Sequence, residues 1–177
     1  MKNYVKIGKT ISYLLRHKPD GLSMDKQGYV LVDDLLKKVN ISQSDLDFIV
    51  LNNDKSRFSY LDENKKYIRA SQGHSIAVKI DFKQERPPRE LYHGTSEEKL
   101  VFIMKTGLSK MKRNHVHLTD DKNVAYLVGK RYSKRKEPII LIIDSAKMFA
   151  DGYKFFLSDN KIWLTDNVPP NYIKNEG

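Results

Sequence analysis

The sequence predicts an α+β fold in two parts, on three observations. Apolar residues recur at helical spacing through the N-terminal third of the 177-residue chain. Short strand-like runs mixed with short helical ones dominate beyond residue 90. Between them lies a stretch punctuated by Pro87-Pro88. The expected organisation is an N-terminal lobe over residues 1–80, a linker over 81–89 and a C-terminal lobe over 90–177.

The elements follow in order. Ile7, Ile11, Leu14 and Leu15 share one helical face, and Pro19 with Gly21 stops that helix. Residues 31–39 and 44–51 give two more short amphipathic helices. Ser42 or Ser44 is the N-cap of the second, with Asp45 or Asp47 three residues on. Residues 57–61 and 66–70 read as strands joined through Asp62-Glu63-Asn64. Three helices and a hairpin make a winged-helix-like lobe, a form that meets nucleic acid in some proteins and is a scaffold in others. Past the linker, 90–93, 115–118, 138–143, 154–157 and 162–164 read as strands. Residues 97–105 and 121–131 read as helices, and the basic run from Lys130 to Lys136 as an exposed loop.

The formal charge of +10 and pI near 9.6 point to a polyanionic partner such as RNA or DNA, or to a merely well-solvated surface. Residues 1–80 carry 14 Lys+Arg against 9 Asp+Glu, and residues 81–177 carry 18 against 13. Each part is therefore +5, and the excess is no basic tail. The absence of cysteine excludes disulfides, thiol nucleophiles and thiolate metal sites, and fits a reducing cytosol. The N-terminus lacks the apolar core of a signal peptide, and the longest apolar run, 139–143, is too short for a bilayer. A soluble, cytoplasmic monomer without membrane contact is expected.

All five histidines sit in short polar motifs: Arg16-His17, Gly73-His74-Ser75, His93-Gly94-Thr95 and Arg113-Asn114-His115-Val116-His117-Leu118-Thr119. Histidine titrates near neutrality, and arginine is a permanent planar fork matched to phosphate oxygens. Taken alone, Arg16-His17 reads as the cationic end of a helix. Strand alternation puts His115 and His117 on one face. Zinc would want a third ligand nearby, and no carboxylate or cysteine is placed to supply it. Phosphate or ribose recognition is therefore the better reading, and no metal is expected. Gly94, at the end of a strand, lets a second backbone or a ligand come close. Neither a phosphate-cradling P-loop nor a dinucleotide-binding G-x-G-x-x-G occurs, so any nucleotide is bound in another way.

The motifs L-L-R-H at 14–17, N-D-K-S-R-F at 53–58, A-S-Q-G-H-S at 70–75, L-Y-H-G-T at 91–95, R-N-H-V-H-L-T at 113–119 and V-P-P-N-Y at 168–172 occur in this order. Together they resemble the RNA 2′-phosphotransferase family over nearly the whole chain. The resemblance implies a winged-helix RNA-binding lobe, an ADP-ribosyltransferase-like NAD-binding lobe and an active site in the cleft between them. It also implies a two-step reaction. An internal RNA 2′-phosphate attacks the nicotinamide ribose of NAD, giving an ADP-ribosylated RNA phosphate and nicotinamide. The 2″-hydroxyl of that ribose then attacks phosphorus, releasing 2′-OH RNA and ADP-ribose 1″,2″-cyclic phosphate.

The family's Arg-His-Arg-Arg tetrad falls on Arg16, His17, Arg57 and Arg113. Guanidinium forks can grip a dianion, orient it and stabilise charge that grows on phosphorus oxygens. His17 either orients the phosphate or assists proton movement. The resemblance assigns His93, Gly94 and Thr95 to the nicotinamide-side ribose, with His117 and Thr119 on the second strand of that site. Arg131 and Ser133 are candidates for the adenosine side. Arg69, Gln72, His74 and Ser75 contact RNA or NAD phosphates, or form a polar turn between lobes; Asn114 and His115 join the phosphate-binding set. Protein-modifying relatives carry a glutamate on a later strand. The corresponding stretch here, 161–164, holds no acid, which suits an anionic acceptor.

Other classes remain in view. His93-x-Thr95 and His117-x-Thr119 mimic the paired motifs of two-histidine RNA phosphodiesterases, which need no NAD, although only 21 residues separate them. A third reading is ADP-ribosylation of phosphorylated nucleic-acid ends, and a fourth is binding without catalysis.

Overall fold

Helix α1, Tyr4–Arg16, forms where Ile11, Leu14 and Leu15 make a buried stripe, and the Asn3 side chain caps its start by accepting from the Lys6 N–H. Helix α2, Val32–Val39, carries Asp33 and Asp34 in its first turn and Lys37 and Lys38 in its last, complementing the helix dipole at both ends. Helix α3, Gln43–Leu51, opens on a reciprocal capping box: Ser42 accepts from the Asp45 backbone, and the Asp45 side chain accepts from the Ser42 backbone. Of the two expected caps, Ser42 is the one used.

In this computed structural model, which describes residues 2–53, 56–133 and 136–175, these helices cover a sheet of order β1-β3-β2. Its strands are Val30–Leu31 (β1), Phe58–Tyr60 (β2) and Tyr67–Ala70 (β3). Asp54 and Lys55 of the 53–58 motif, and Lys134 and Arg135 of the basic run, lie outside the described residues. The core of this unit joins Ile11, Leu15, Leu35, Leu46 and Ile68, all fully buried. Each such side chain contributes about 1.5–3 kcal/mol by leaving water.

The chain divides into two units, Met1–Asp81 and Phe82–Gly177. The second contains Lys83–Gln84 (β4), Leu91–Thr95 (β5), α4 at Glu97–Thr106, Leu108–Ser109 (β6), Val116–Leu118 (β7) and α5 at Lys122–Lys130. Then come Ile139–Ile143 (β8), α6 at Ser145–Ala150, Phe156–Leu157 (β9), Trp163–Thr165 (β10), Asn167–Val168 (β11) and Ile173–Asn175 (β12). The sheets run β4-β9-β10-β7, β12-β8-β5 and β11-β6. Each of these strand pairs is antiparallel, so the molecule is α+β in the described residues. Leu91, Leu141, Ile143, Met148 and Phe155 are fully buried at its centre.

Part of the stretch expected as linker is structured. Lys83–Gln84 pairs with β9, Glu85 donates its N–H to the Phe155 carbonyl, and Ser145 Oγ donates to the Pro88 carbonyl. Backbone donors beside an open strand edge find partners there, which proline content alone does not reveal.

Candidate active site

In the first unit, the C-terminal end of α1 delivers Arg16, and His17 caps the helix with its N–H donating to the Tyr13 carbonyl. Arg57 stands just before β2, and its carbonyl oxygen is a shared acceptor. The Arg16 Nη2 donates to it at 3.4 Å, and so does the Ser71 N–H at 2.9 Å. The Arg57 Nη1 in turn donates to Asn53 Oδ1 at 2.8 Å, and Ser71 Oγ donates to the Ser56 carbonyl at 2.7 Å. The turn after β3 completes the cluster. The Ser75 N–H donates to the Arg16 carbonyl, Ser75 Oγ lies 2.9 Å from His17 Nδ1, and Gly73 packs against the Arg16 side chain.

His74, between those two residues, is only 2% exposed, and its Nε2 has no hydrogen-bond partner among the described residues. Burial, reinforced by the charges of Arg16, Arg69 and His17, pushes this imidazole down to about 4. It is neutral at physiological pH. Arg69 lies on β3 with its guanidinium stacked 4.7 Å from the Tyr29 ring centroid.

In the second unit, β5 ends on His93-Gly94-Thr95, and Tyr92 exchanges both backbone hydrogen bonds with Thr119. His93 Nδ1 donates to the His117 carbonyl at 3.1 Å. That bond leaves the His93 Nε2 lone pair as an acceptor. Burial lowers the His93 pKa, the His117 carbonyl opposes this, and the positive charges of Arg113 and Lys99 add to the lowering. Arg113 Nη1 donates to His117 Nδ1 at 3.4 Å, which places the neutral His117 proton on Nε2. Opposite His117 on β10 stands Leu164.

The family model described as RNA 2'-phosphotransferase, Tpt1 / KptA family, matches residues 2–167. The chain belongs to the RNA 2′-phosphotransferase family. A protein of Flavobacterium johnsoniae is 46% identical over 175 residues, 95% of this chain and 94% of that one. One of Fusobacterium nucleatum is 46% identical over 98% of this chain and 99% of its own. One of Trichormus variabilis is 45% identical over 96% and 94%. Each bears the name "Probable RNA 2'-phosphotransferase". The matched span takes in every RNA 2′-phosphotransferase motif residue gathered in the two clusters.

Arg16, His17, Arg57, Ser75 and His74 thus come together in the first unit of this RNA 2′-phosphotransferase family member, with Arg69 near enough to bias His74. Gln72 lies partly buried in the same turn. In the second unit, Arg113 and His93 are both joined to His117, and Thr119 pairs with Tyr92, the neighbour of His93. The remaining residues have other neighbours. Gly94 is packed against α5, where a Cβ would stand 1.8 Å from the Ala125 carbonyl oxygen, so the close approach there is that of a backbone. Thr95 is buried, and Ser133 Oγ donates to the Gly129 carbonyl at 2.9 Å, tying the end of α5. Arg131 is exposed just past that helix, and Asn114 is partly buried. The His115 ring sits against Phe82 and Phe156, away from the contacts made by His117.

Sequence reasoning passed over Asn53, Ser71 and Tyr29, which hold Arg57, the Arg57 carbonyl and Arg69. Asn53 and Ser71 lie inside the quoted motifs and could have been found there. Tyr29 carries no periodic signal. Among the described residues, no group of three or more His, Cys, Asp or Glu side chains is disposed to hold a metal, and no helix is long and apolar enough to cross a membrane.

Proposed function

We propose that this chain is an NAD-dependent RNA 2′-phosphotransferase, passing an internal RNA 2′-phosphate to NAD and leaving a 2′-hydroxyl. One observation carries the reading: Arg16 and Arg57, from a helix end and a strand start, are cross-linked through the Arg57 carbonyl with His17 beside them. Two preorganised guanidinium forks suit a dianion held by several charge-assisted hydrogen bonds. Arg113, joined to His117 in the second unit, is the fourth member of the set that the family resemblance names.

The second cluster fits NAD by the chemistry of its donors and acceptors. His93 is neutral and fixed in the tautomer that offers Nε2 to a hydroxyl donor, and a ribose carries such donors. When bound, NAD would supply an electrophilic anomeric carbon with nicotinamide as its leaving group. The residues then hold, orient and shield: His93 and Thr119 orient the ribose, Arg113 balances phosphate charge, and His17 orients the phosphate or moves a proton. The stretch 161–164, where protein-modifying relatives carry a glutamate, holds no acid, and a carboxylate there would repel an incoming phosphate. The winged-helix character of the first unit and the ADP-ribosyltransferase character of the second belong to the same proposal.

The test is an oligoribonucleotide with one internal 2′-phosphate, incubated with and without NAD. Nicotinamide release and a 2′-hydroxyl product that appear only with NAD support the proposal. Chain cleavage without NAD, or no turnover under either condition, overturns it.

A further inference from the structure

Ser75 is fixed by contacts that do not involve its own hydroxyl. Its N–H donates to the Arg16 carbonyl at 2.9 Å. The preceding His74 is a buried wedge whose Nε2 would lie 3.3 Å from a Cβ on Gly28, with Val78 alongside. Gly73 before it takes φ +86, and a Cβ there would lie 3.9 Å from the Arg16 side chain. The Ser75 backbone is thus set by the fold, and its Oγ stands 2.9 Å from His17 Nδ1.

A hydroxyl is a suitable post for a titrating ring. It donates to Nδ1 of a neutral imidazole and accepts from Nδ1–H of an imidazolium. Either way the ring keeps one orientation and turns Nε2 toward whatever His17 serves. A carboxylate in the same place can only accept, and would hold the ring solely while Nδ1 carries a proton.

We propose that Ser75 is a positioning residue that holds the His17 ring through gain and loss of a proton, rather than a contact to RNA. The proposal rests on the reading of His17 as part of the phosphate-handling set. The hydrogen bond is exposed, so its effect is modest.

Two measurements on the full chain test it. In steady-state turnover of a 2′-phosphorylated oligoribonucleotide with NAD, Ser75→Ala lowers kcat roughly five- to tenfold with KM for RNA nearly unchanged, and Ser75→Thr restores kcat. Equal melting temperatures show that the fold is intact. In the free protein labelled with 15N-histidine, at a pH where His17 is neutral, Ser75→Ala moves the His17 Nδ1 resonance downfield and leaves that of His93 in place. An unchanged kcat, a loss confined to KM for RNA, or an unmoved His17 Nδ1 overturns the proposal. Should the wild-type chain fail to turn over that RNA with NAD, the functional reading falls, and the resonance alone judges whether Ser75 holds His17.

Discussion

Gly94 and Ala125 meet backbone to backbone: a Cβ on Gly94 would stand 1.8 Å from the Ala125 carbonyl oxygen. The Gly129 N–H, 2.7 Å from the same point, closes the other side, so β5 and α5 have no slack to share. Gly94→Ala is expected to destabilise the protein by about 2–3 kcal/mol, lowering the melting temperature on the order of 10 °C. Gly8 makes the opposite case. It lies within α1, and its nearest Cβ neighbour is the Ile49 side chain at 3.6 Å. Gly8→Ala therefore stabilises the protein by up to about 1 kcal/mol through helix propensity, and the melting temperature rises. Calorimetry on both variants checks the pair, and equal shifts would sink the packing argument.

Arg57→Ala and Arg113→Ala should each lower kcat/KM for a 2′-phosphorylated RNA roughly 10²–10³-fold while leaving the melting temperature near wild type. Arg57 is the sharper case, since Asn53 already aims its guanidinium. Arg57→Lys should recover little, because an ammonium is a point charge without a fork. Rates within a few-fold of wild type in both alanine variants would remove these residues from the phosphate site.

Local signals made the helices of the first unit legible. The expected stretches 31–39 and 44–51 became Val32–Val39 and Gln43–Leu51, since a period near 3.6 and a Ser-Asp capping box are local signals. Strands of two residues, such as β4 and β6, and the short α6 gave no such signal; each exists only because a partner edge or helix lies beside it. At the site, residue types were legible and roles less so. H-G-T leaves open whether Gly94 admits a backbone or a ligand, and it does not say that His93 donates to a backbone carbonyl. That distinction depends on where α5 crosses β5, a long-range fact.

His93 should act on NAD rather than on RNA. Its Nδ1 is committed to the His117 carbonyl, so only Nε2 is left to meet a ribose hydroxyl. His93→Ala is expected to raise the Kd for NAD about tenfold, as for one lost hydrogen bond in a partly buried site, with RNA binding unchanged. Isothermal titration with each ligand separately checks this. Weakened RNA binding with intact NAD affinity would contradict it.

His74 gives the stability a pH dependence whose sign is fixed. In the fold its pKa lies near 4, mainly through burial and then through Arg16, Arg69 and His17; in the unfolded chain it returns to 6.5. Between those values the unfolded state holds a proton that the folded state lacks, so stability rises with pH across the window. Below about pH 4 both states are protonated, and the full penalty is present. Above 6.5 it is gone. The difference is on the order of 3 kcal/mol. His74→Gln removes the titrating group and should flatten the rise in urea midpoint between pH 4 and 6.5, whatever its effect on absolute stability. Binding of inorganic phosphate beside Arg16 and His17 would offset their charge, and the wild-type dependence should shrink in phosphate buffer relative to an uncharged buffer of equal ionic strength. Identical slopes for wild type and His74→Gln would show that the imidazole is not buried neutral among these cations.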